Sequence, residues 1–219
     1  MFALADEDER LTIIGAWASP RALTVGGRDK LLRVTETESG PAQIAAAGVL
    51  VRRPGPGAEQ AASVLTRAVE TGSTRERVFA IRAALLDLAS VRAAVVKAQD
   101  DTDQDVALAA LERSLELYPA TGEGAKPKER AEVVRKLLVM AKAPGVRSLM
   151  ARGALARGGA REVLPLLAGD AKSDNEQARK AAGSSLVALG EYGRAAALAA
   201  DQDERVRTGV ACAILRGVK

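Results

Sequence analysis

The sequence predicts an all-α protein built as a stack of about six to seven helical hairpins. Three observations predict it. Alanine supplies 45 of the 219 residues while aromatics make up only 2%. Alanine has the best helix propensity, and its small side chain lets helices approach closely. The β-branched and aromatic clusters that mark strands are scarce. Apolar residues also recur three or four apart, as in Val64, Leu65, Ala68 and Val69. Finally, the chain repeats itself: "DERVRTGVACAILRG" at 203–217 is a close paraphrase of "DNEQARKAAGSSLVALG" at 174–190.

Alignment on the position of Val206 extends that repeat along the chain. The series is Leu11, Ile44, Val78, Val106, Val146, Ala178 and Val206, with spacings of 33, 34, 28, 40, 32 and 28 residues. An irregular period of about 30–40 residues is that of a helical-hairpin array. Second helices are expected at Ala22–Thr35 (broken at Gly26-Gly27), Ala58–Glu70, Val91–Gln99, Lys128–Ala141, Ala160–Ala168 and Glu191–Ala200. Turns are marked by "PGPG" at 54–57, "TGS" at 71–73, "PATGEGAKP" at 119–127, "APG" at 143–145 and "GG" at 158–159. Asp6, Ser39, Thr74, Asp103, Asp174 and Asp203 stand where helix N-caps belong. No single hairpin buries its own apolar face, so neighbours must stack to form a continuous core.

Two stretches carry a family resemblance. "AREVLPLLAGDAKSDNEQARKAAGSSLVALG", with Pro165 in its first helix, and "EYGRAAALAADQDERVRTGVACAILRG" resemble bacterial HEAT repeats of the phycobilisome-lyase type. Those repeats read as a first helix with a central proline, an acidic turn, then D-x-x-V-R-x-x-A-x-x-A-L and a glycine. The resemblance is strongest over 143–217 and weaker over 5–142, where "GPAQIAAAGVL" and "DVALAALERSL" lack the arginine. "ALERSLELYP" at 110–119 is similar to the end of a tetratricopeptide helix. The resemblance implies a right-handed α-solenoid occupying 1–219 as one domain. It implies a ladder of Asp174, Arg179, Asp203 and Arg207 between repeats, with Val206 and Ala211 facing the core. It also places Arg77, Arg82, Arg147, Arg152, Lys180 and Arg207 on a concave face. The chain opens on "DERLTIIGAWA" without a hairpin partner for that helix and closes soon after another. Solenoid ends need polar caps, so the expectation is a segment of a longer chain, or ends that pack on a partner.

Composition narrows the chemistry. The sequence holds no histidine, which removes the commonest general base and metal ligand and any Ser-His or Cys-His pair. A lone Cys212 excludes an intrachain disulfide and a cysteine-cluster metal site; its apolar surroundings suggest a small core residue. "RPGPGAEQ" and "ATGEGAKPK" are glycine-rich, but neither fits a phosphate-binding loop. "QDDTDQD" at 99–105 gathers Asp100, Asp101, Asp103 and Asp105 without the glycine and glutamate of a calcium loop, and reads as a turn favouring the next helix N-terminus. No apolar run reaches the ~18 residues of a membrane span, and "MFALADEDERL" is no signal peptide. The expected location is the cytoplasm, with a signal or lipoprotein sequence already removed as the alternative.

Charge is unevenly placed. Residues 126–161 hold ten basic and two acidic residues, whereas 99–123 hold one basic and seven acidic. Arg147, Arg152 and Arg157 are five apart, so successive members rotate by about 140° and form no single stripe. Lys136 and Arg157 join the concave-face arginines and Lys180 as candidate partner contacts. The expected function is a non-catalytic scaffold or adaptor that binds another protein through the concave face, without a cofactor. The alternative is a nucleic-acid-binding protein using 126–161, similar to the HEAT-like DNA glycosylases. Those use a Trp and Tyr cleft, whereas Trp17, Tyr118 and Tyr192 lie far apart here. A third reading is an accessory lyase subunit that works only with a partner, since one cysteine and no histidine give no support to bilin attachment by this chain alone.

Overall fold

The computed structural model describes residues 2, 5–53, 55–122 and 124–217. Pro54 of the "PGPG" turn and Glu123 of the "ATGEG" turn lie outside the described residues. Those described form helices and loops, with no strand among them. They divide into two compact units, 1–113 and 114–219.

The first unit contains α1 (Glu7–Trp17), α2 (Pro20–Ala22), α3 (Arg28–Thr37), α4 (Gly40–Val51), α5 (Ala58–Thr71), α6 (Thr74–Ala83) and α7 (Ala89–Lys97). Helix α1 packs on α3 and α4, α4 on α5 and α6, and α5 on α6 and α7. Ile14, Leu31, Ile44, Leu50, Leu65 and Ile81 form its buried interior. The predicted break at Gly26-Gly27 is present. A π-helical turn, Leu23–Gly27, joins α2 to α3 through Gly26 at φ +93°. Gly27 is needed for a different reason: a Cβ there would lie 2.6 Å from the Ala22 carbonyl oxygen and 2.7 Å from that of Trp17.

Helix α8 (Gln104–Leu117) follows, then α9 (Pro127–Lys142), α10 (Val146–Arg157), α11 (Leu164–Asp170), α12 (Glu176–Ala188), α13 (Tyr192–Leu198) and α14 (Glu204–Gly217). In the second unit α10 packs on α9 and α12, and α12 packs on α11, α13 and α14. Leu137, Leu155, Val163, Leu167, Val206 and Val210 are buried there. Alanine does what its abundance promised: Ala141, Ala151, Ala154, Ala156, Ala182 and Ala195 are all buried and leave room for neighbouring helices.

Several local expectations need correction. Cys212 is exposed rather than a core residue, and Ala211 is exposed beside it. Both lie on the side of α14 opposite Val206 and Val210, which take the core positions. Val146 opens α10 and is 66% exposed; the core residues of that helix start at Ser148 and Ala151. Pro165 lies in the first turn of α11, after a 3-10 turn at Arg161–Val163, where its missing N–H costs no helical hydrogen bond. Ser73 and Asn175, not Thr74 and Asp174, cap α6 and α12, because the residue directly before the helix holds the extended conformation a cap requires. Asp6 caps α1 in a capping box with Glu9, while Ser39 stands at the start of α4 without a side-chain cap bond.

Helices α12 and α14 approach closely. A Cβ on Gly183 would fall 2.3 Å from Cγ2 of Val210, and valine is stiff at χ1. Gly183→Ala gains about 1 kcal/mol of helix propensity but overpacks the seam at a cost of about 1–3 kcal/mol. We expect a net loss of about 1 kcal/mol in urea denaturation. The same substitution in a Val210→Ala background is expected to stabilise.

Candidate functional site

The most regular constellation is set by the fourth residue of five helices. In α1, α4, α6, α12 and α14 that residue is Arg10, Gln43, Arg77, Arg179 or Arg207. Each side chain turns back onto backbone carbonyls just before its own helix. Arg10 Nε donates to Ala5 O at 2.9 Å, Gln43 Nε2 to Thr35 O at 2.9 Å, and Arg77 Nε to Val69 O at 2.9 Å. Arg179 Nη1 donates to Ser173 O and Asp174 O at 2.8 and 3.0 Å. Arg207 Nη1 donates to Asp201 O and Gln202 O at 2.8 and 2.9 Å. Helix C-termini leave carbonyls without intrahelical partners, and a guanidinium or amide satisfies them. In α10 the same work falls to Arg152, three residues later, whose Nε donates to Ala141 O at 2.8 Å.

The arginines then use their remaining nitrogens on a carboxylate from the next hairpin. Arg10 meets Glu38 at 3.0 Å, Arg77 meets Asp101, and Arg152 meets Asp170. Arg179 grips Asp201 with both ends of its fork, Nε to Oδ2 at 2.8 Å and Nη2 to Oδ1 at 3.0 Å. The Arg179 and Asp201 side chains are only 10% and 8% exposed. Hydrogen bonding from Arg77 holds the Asp101 carboxyl below the usual aspartate range, and hydrogen bonding from Arg179 does the same for Asp201. Asp201 in turn raises the Arg179 guanidinium above its usual value.

The same acids shape the turns. Asp101 Oδ1 accepts from the Asp103 amide at 2.9 Å, and Asp103 Oδ1 accepts from the Asp105 amide at 2.9 Å. Asp201 Oδ1 accepts from the Asp203 amide at 2.8 Å, and Asp203 Oδ1 from the Arg205 amide at 2.8 Å. The two D-x-D turns are therefore copies of one another. Ser173 and Asn175 repeat the pattern ahead of α12, with the Asn175 amide donating to Ser173 Oγ at 3.2 Å and the Gln177 amide to Asn175 Oδ1 at 2.8 Å. "QDDTDQD" is such a turn, and no group of three or more metal-ligating side chains occurs among the described residues.

The anticipated ladder residues thus take different places. Arg179 is a rung, but its partner is Asp201; Asp174 offers only its carbonyl and Asp203 caps α14. Of the anticipated partner contacts, Arg77 and Arg152 are held in internal ion pairs. Arg82, Arg147, Arg157 and Lys180 are exposed, and Lys136 is half-buried. Sequence reading missed Arg10, Asp101, Asp170 and Asp201. The signal was present in the repeated D-x-D ahead of Val106 and Val206. A cavity of about 430 Å³ adjoins the Arg77–Asp101 pair, lined also by Glu70, Lys97 and Asp100. Its walls carry both signs of charge.

Two outcomes follow from the rungs. Breaking a buried pair leaves a charge uncompensated, so Arg152→Met should cost about 3 kcal/mol of unfolding free energy. Loss of the exposed pair of Arg135 with Glu132 should cost far less in the same denaturation assay. The second outcome is a pH dependence. Asp101 and Asp201 have lowered folded-state values, so the unfolded chain takes up their protons first. Their contribution is full above about pH 4 and is lost as pH falls through those lowered values. A stability profile is expected to stay level from neutral pH to about pH 5 and to drop below about pH 4. Asp101→Asn with Asp201→Asn should lower stability at pH 7 and flatten the acid limb. No protein-family profile matches this chain, and no curated protein matches it significantly.

Proposed function

We propose that this chain is a HEAT-like right-handed α-solenoid that acts as a non-catalytic scaffold for another protein. The carrying observation is the surface of the α9–α10 hairpin. Val139, Val146 and Met150 are 64%, 66% and 44% exposed there, and Val146 and Met150 stand one turn apart on α10. Exposed Lys142 and Arg147 accompany them. Apolar groups, methionine and arginine together are the chemistry of a protein interface.

The basic stretch supports the same reading. Arg130 donates to the carbonyls of Tyr118 and Gly158. Arg135, Arg152 and Arg161 pair with Glu132, Asp170 and Glu191. Much of the +8 excess over 126–161 is therefore engaged by the protein itself, and binding to a phosphate backbone would need those cations free. No helix among the described residues is long and apolar enough to cross a membrane.

Fluorescence anisotropy with a labelled random duplex at two salt concentrations separates the two partner classes. The expected result is no salt-sensitive binding. Steeply salt-dependent binding that disappears in Arg147→Glu with Arg157→Glu would replace the protein reading with nucleic acid. A photo-crosslinking amino acid at position 150 should yield a discrete protein adduct in cells, lost on Val146→Asp.

A further inference from the structure

The tip of the α9–α10 hairpin is open and apolar at once. Helix α9 ends at Lys142, α10 begins at Val146, and the 143–145 turn between them is exposed throughout. A Cβ added to Gly145 in that turn would meet no heavy atom within 4 Å, so the turn stands clear of the rest of its unit. Val139, Val146 and Met150 lie within about one helical turn of it, and all three are exposed. Half of the large apolar side chains exposed among the described residues therefore stand at this one tip.

The charge in this part of the chain has one sign. Residues 133–161 hold seven basic residues and no acidic one. Arg152 and Arg161 draw their carboxylates from other elements, Asp170 and Glu191. Lys142 and Arg147 alternate with the apolar tip residues and are exposed, and Lys142 has no ion-pair partner among the described residues. A few cations set among apolar groups do not track a phosphate backbone. They do complement carboxylates placed beside apolar side chains, which speeds encounter and sets specificity. The tip carries no tryptophan, tyrosine or phenylalanine, the side chains that seat a basic element in a lipid interface. A second copy would bring the same basic tip against it, at a cost in like-charge repulsion. No strand edge exists among the described residues for an extended segment to pair with.

We infer that the α9–α10 tip docks an acidic amphipathic helix of a partner protein. Apolar residues of that helix, three or four apart, lie against Val139, Val146 and Met150, and its flanking carboxylates face Lys142 and Arg147. This docking rests on the scaffold reading proposed above and gives the partner a chemistry. Methionine suits the contact, because its unbranched, polarizable chain adapts to the shape of the apolar groups it meets.

A displayed library of random peptides about 16 residues long, enough for about four helical turns, is panned on the purified full chain. A Val146→Asp, Met150→Asp double variant is panned in parallel; both positions are exposed, so its helical circular dichroism should match that of the unmodified chain. Peptides enriched on the unmodified chain alone should carry net negative charge and apolar residues three or four apart. The most enriched peptide, labelled for fluorescence anisotropy, should bind more weakly as salt rises. It should lose at least about tenfold in affinity for the double variant and about fivefold for Lys142→Glu. With its carboxylates exchanged for lysines, it should prefer Lys142→Glu to the unmodified chain. Neutral or basic selected sequences would overturn the inference, as would no enrichment, or binding that ignores the double variant or Lys142→Glu. So would co-sedimentation with phosphatidylserine vesicles that Met150→Asp abolishes, which would make the tip a lipid-binding element. A cross-linked adduct at position 150 in cells together with failed selection would sink the acidic helix and leave the scaffold reading standing; loss of the adduct as well would sink both.

Discussion

One contact recurs at Arg10, Arg77, Arg152 and Arg179: a guanidinium that holds carbonyls near the start of its own helix and a carboxylate from the next hairpin. Arg77 joins the last turn of α5, the first turn of α6 and the turn before α8. Arg179 does the same for the turns before α12 and α14. Only arginine has enough donors in a rigid plane to serve both sets of acceptors at once. Hydrophobic burial supplies most of the favourable free energy, as in any helical stack. It is non-directional, however, and the arginine fork sets the register in which the helices meet.

The small-residue seams and the rungs depend on each other. Alanine and glycine at helix crossings give little area per residue, so each interface is thin. A thin interface tolerates sliding unless something polar pins it. The pair of Gly183 under Val210 and Arg179 against Asp201 places a close approach and a pin on the same face of α12. Where the pin is displaced, as in α10, it moves one turn along to Arg152 and still reaches both a helix terminus and an acid.

Helix positions were legible in the sequence because apolar spacing and turn residues encode them locally. The break at Gly26 was legible for the same reason. The register of the repeat was not. Aligning on Val206 matched Leu11, Ile44 and Val78, which follow their polar clamp residue, with Ala178 and Val206, which precede theirs. The apolar neighbour follows the clamp in Arg10 and Arg77 and precedes it in Arg179 and Arg207, so aligning apolar residues alone cannot place the clamp. Rung partners were hidden by a related ambiguity. Asp174, Asp201 and Asp203 are equivalent as surface acids in the sequence, and only the path of the turn decides which carboxylate reaches Arg179. Cys212 and Ala211 were misplaced because α14 presents a second apolar face, and a moderately apolar helix does not announce which side is covered.

The rungs also bear on how such a chain changes length. Their partners are 28, 24, 18 and 22 residues apart, for Arg10 with Glu38, Arg77 with Asp101, Arg152 with Asp170 and Arg179 with Asp201. The contact is made at the two ends of that interval and is indifferent to what lies between. Residues can therefore be gained or lost within second helices and outer loops without disturbing the junctions. A single residue inserted between Asp101 and Asp103, or between Asp201 and Asp203, would separate the ion pair from the helix cap. Variation in length is thus channelled to one set of segments and barred from another, and the unequal intervals of 18 to 28 residues between rung partners show where it is accommodated.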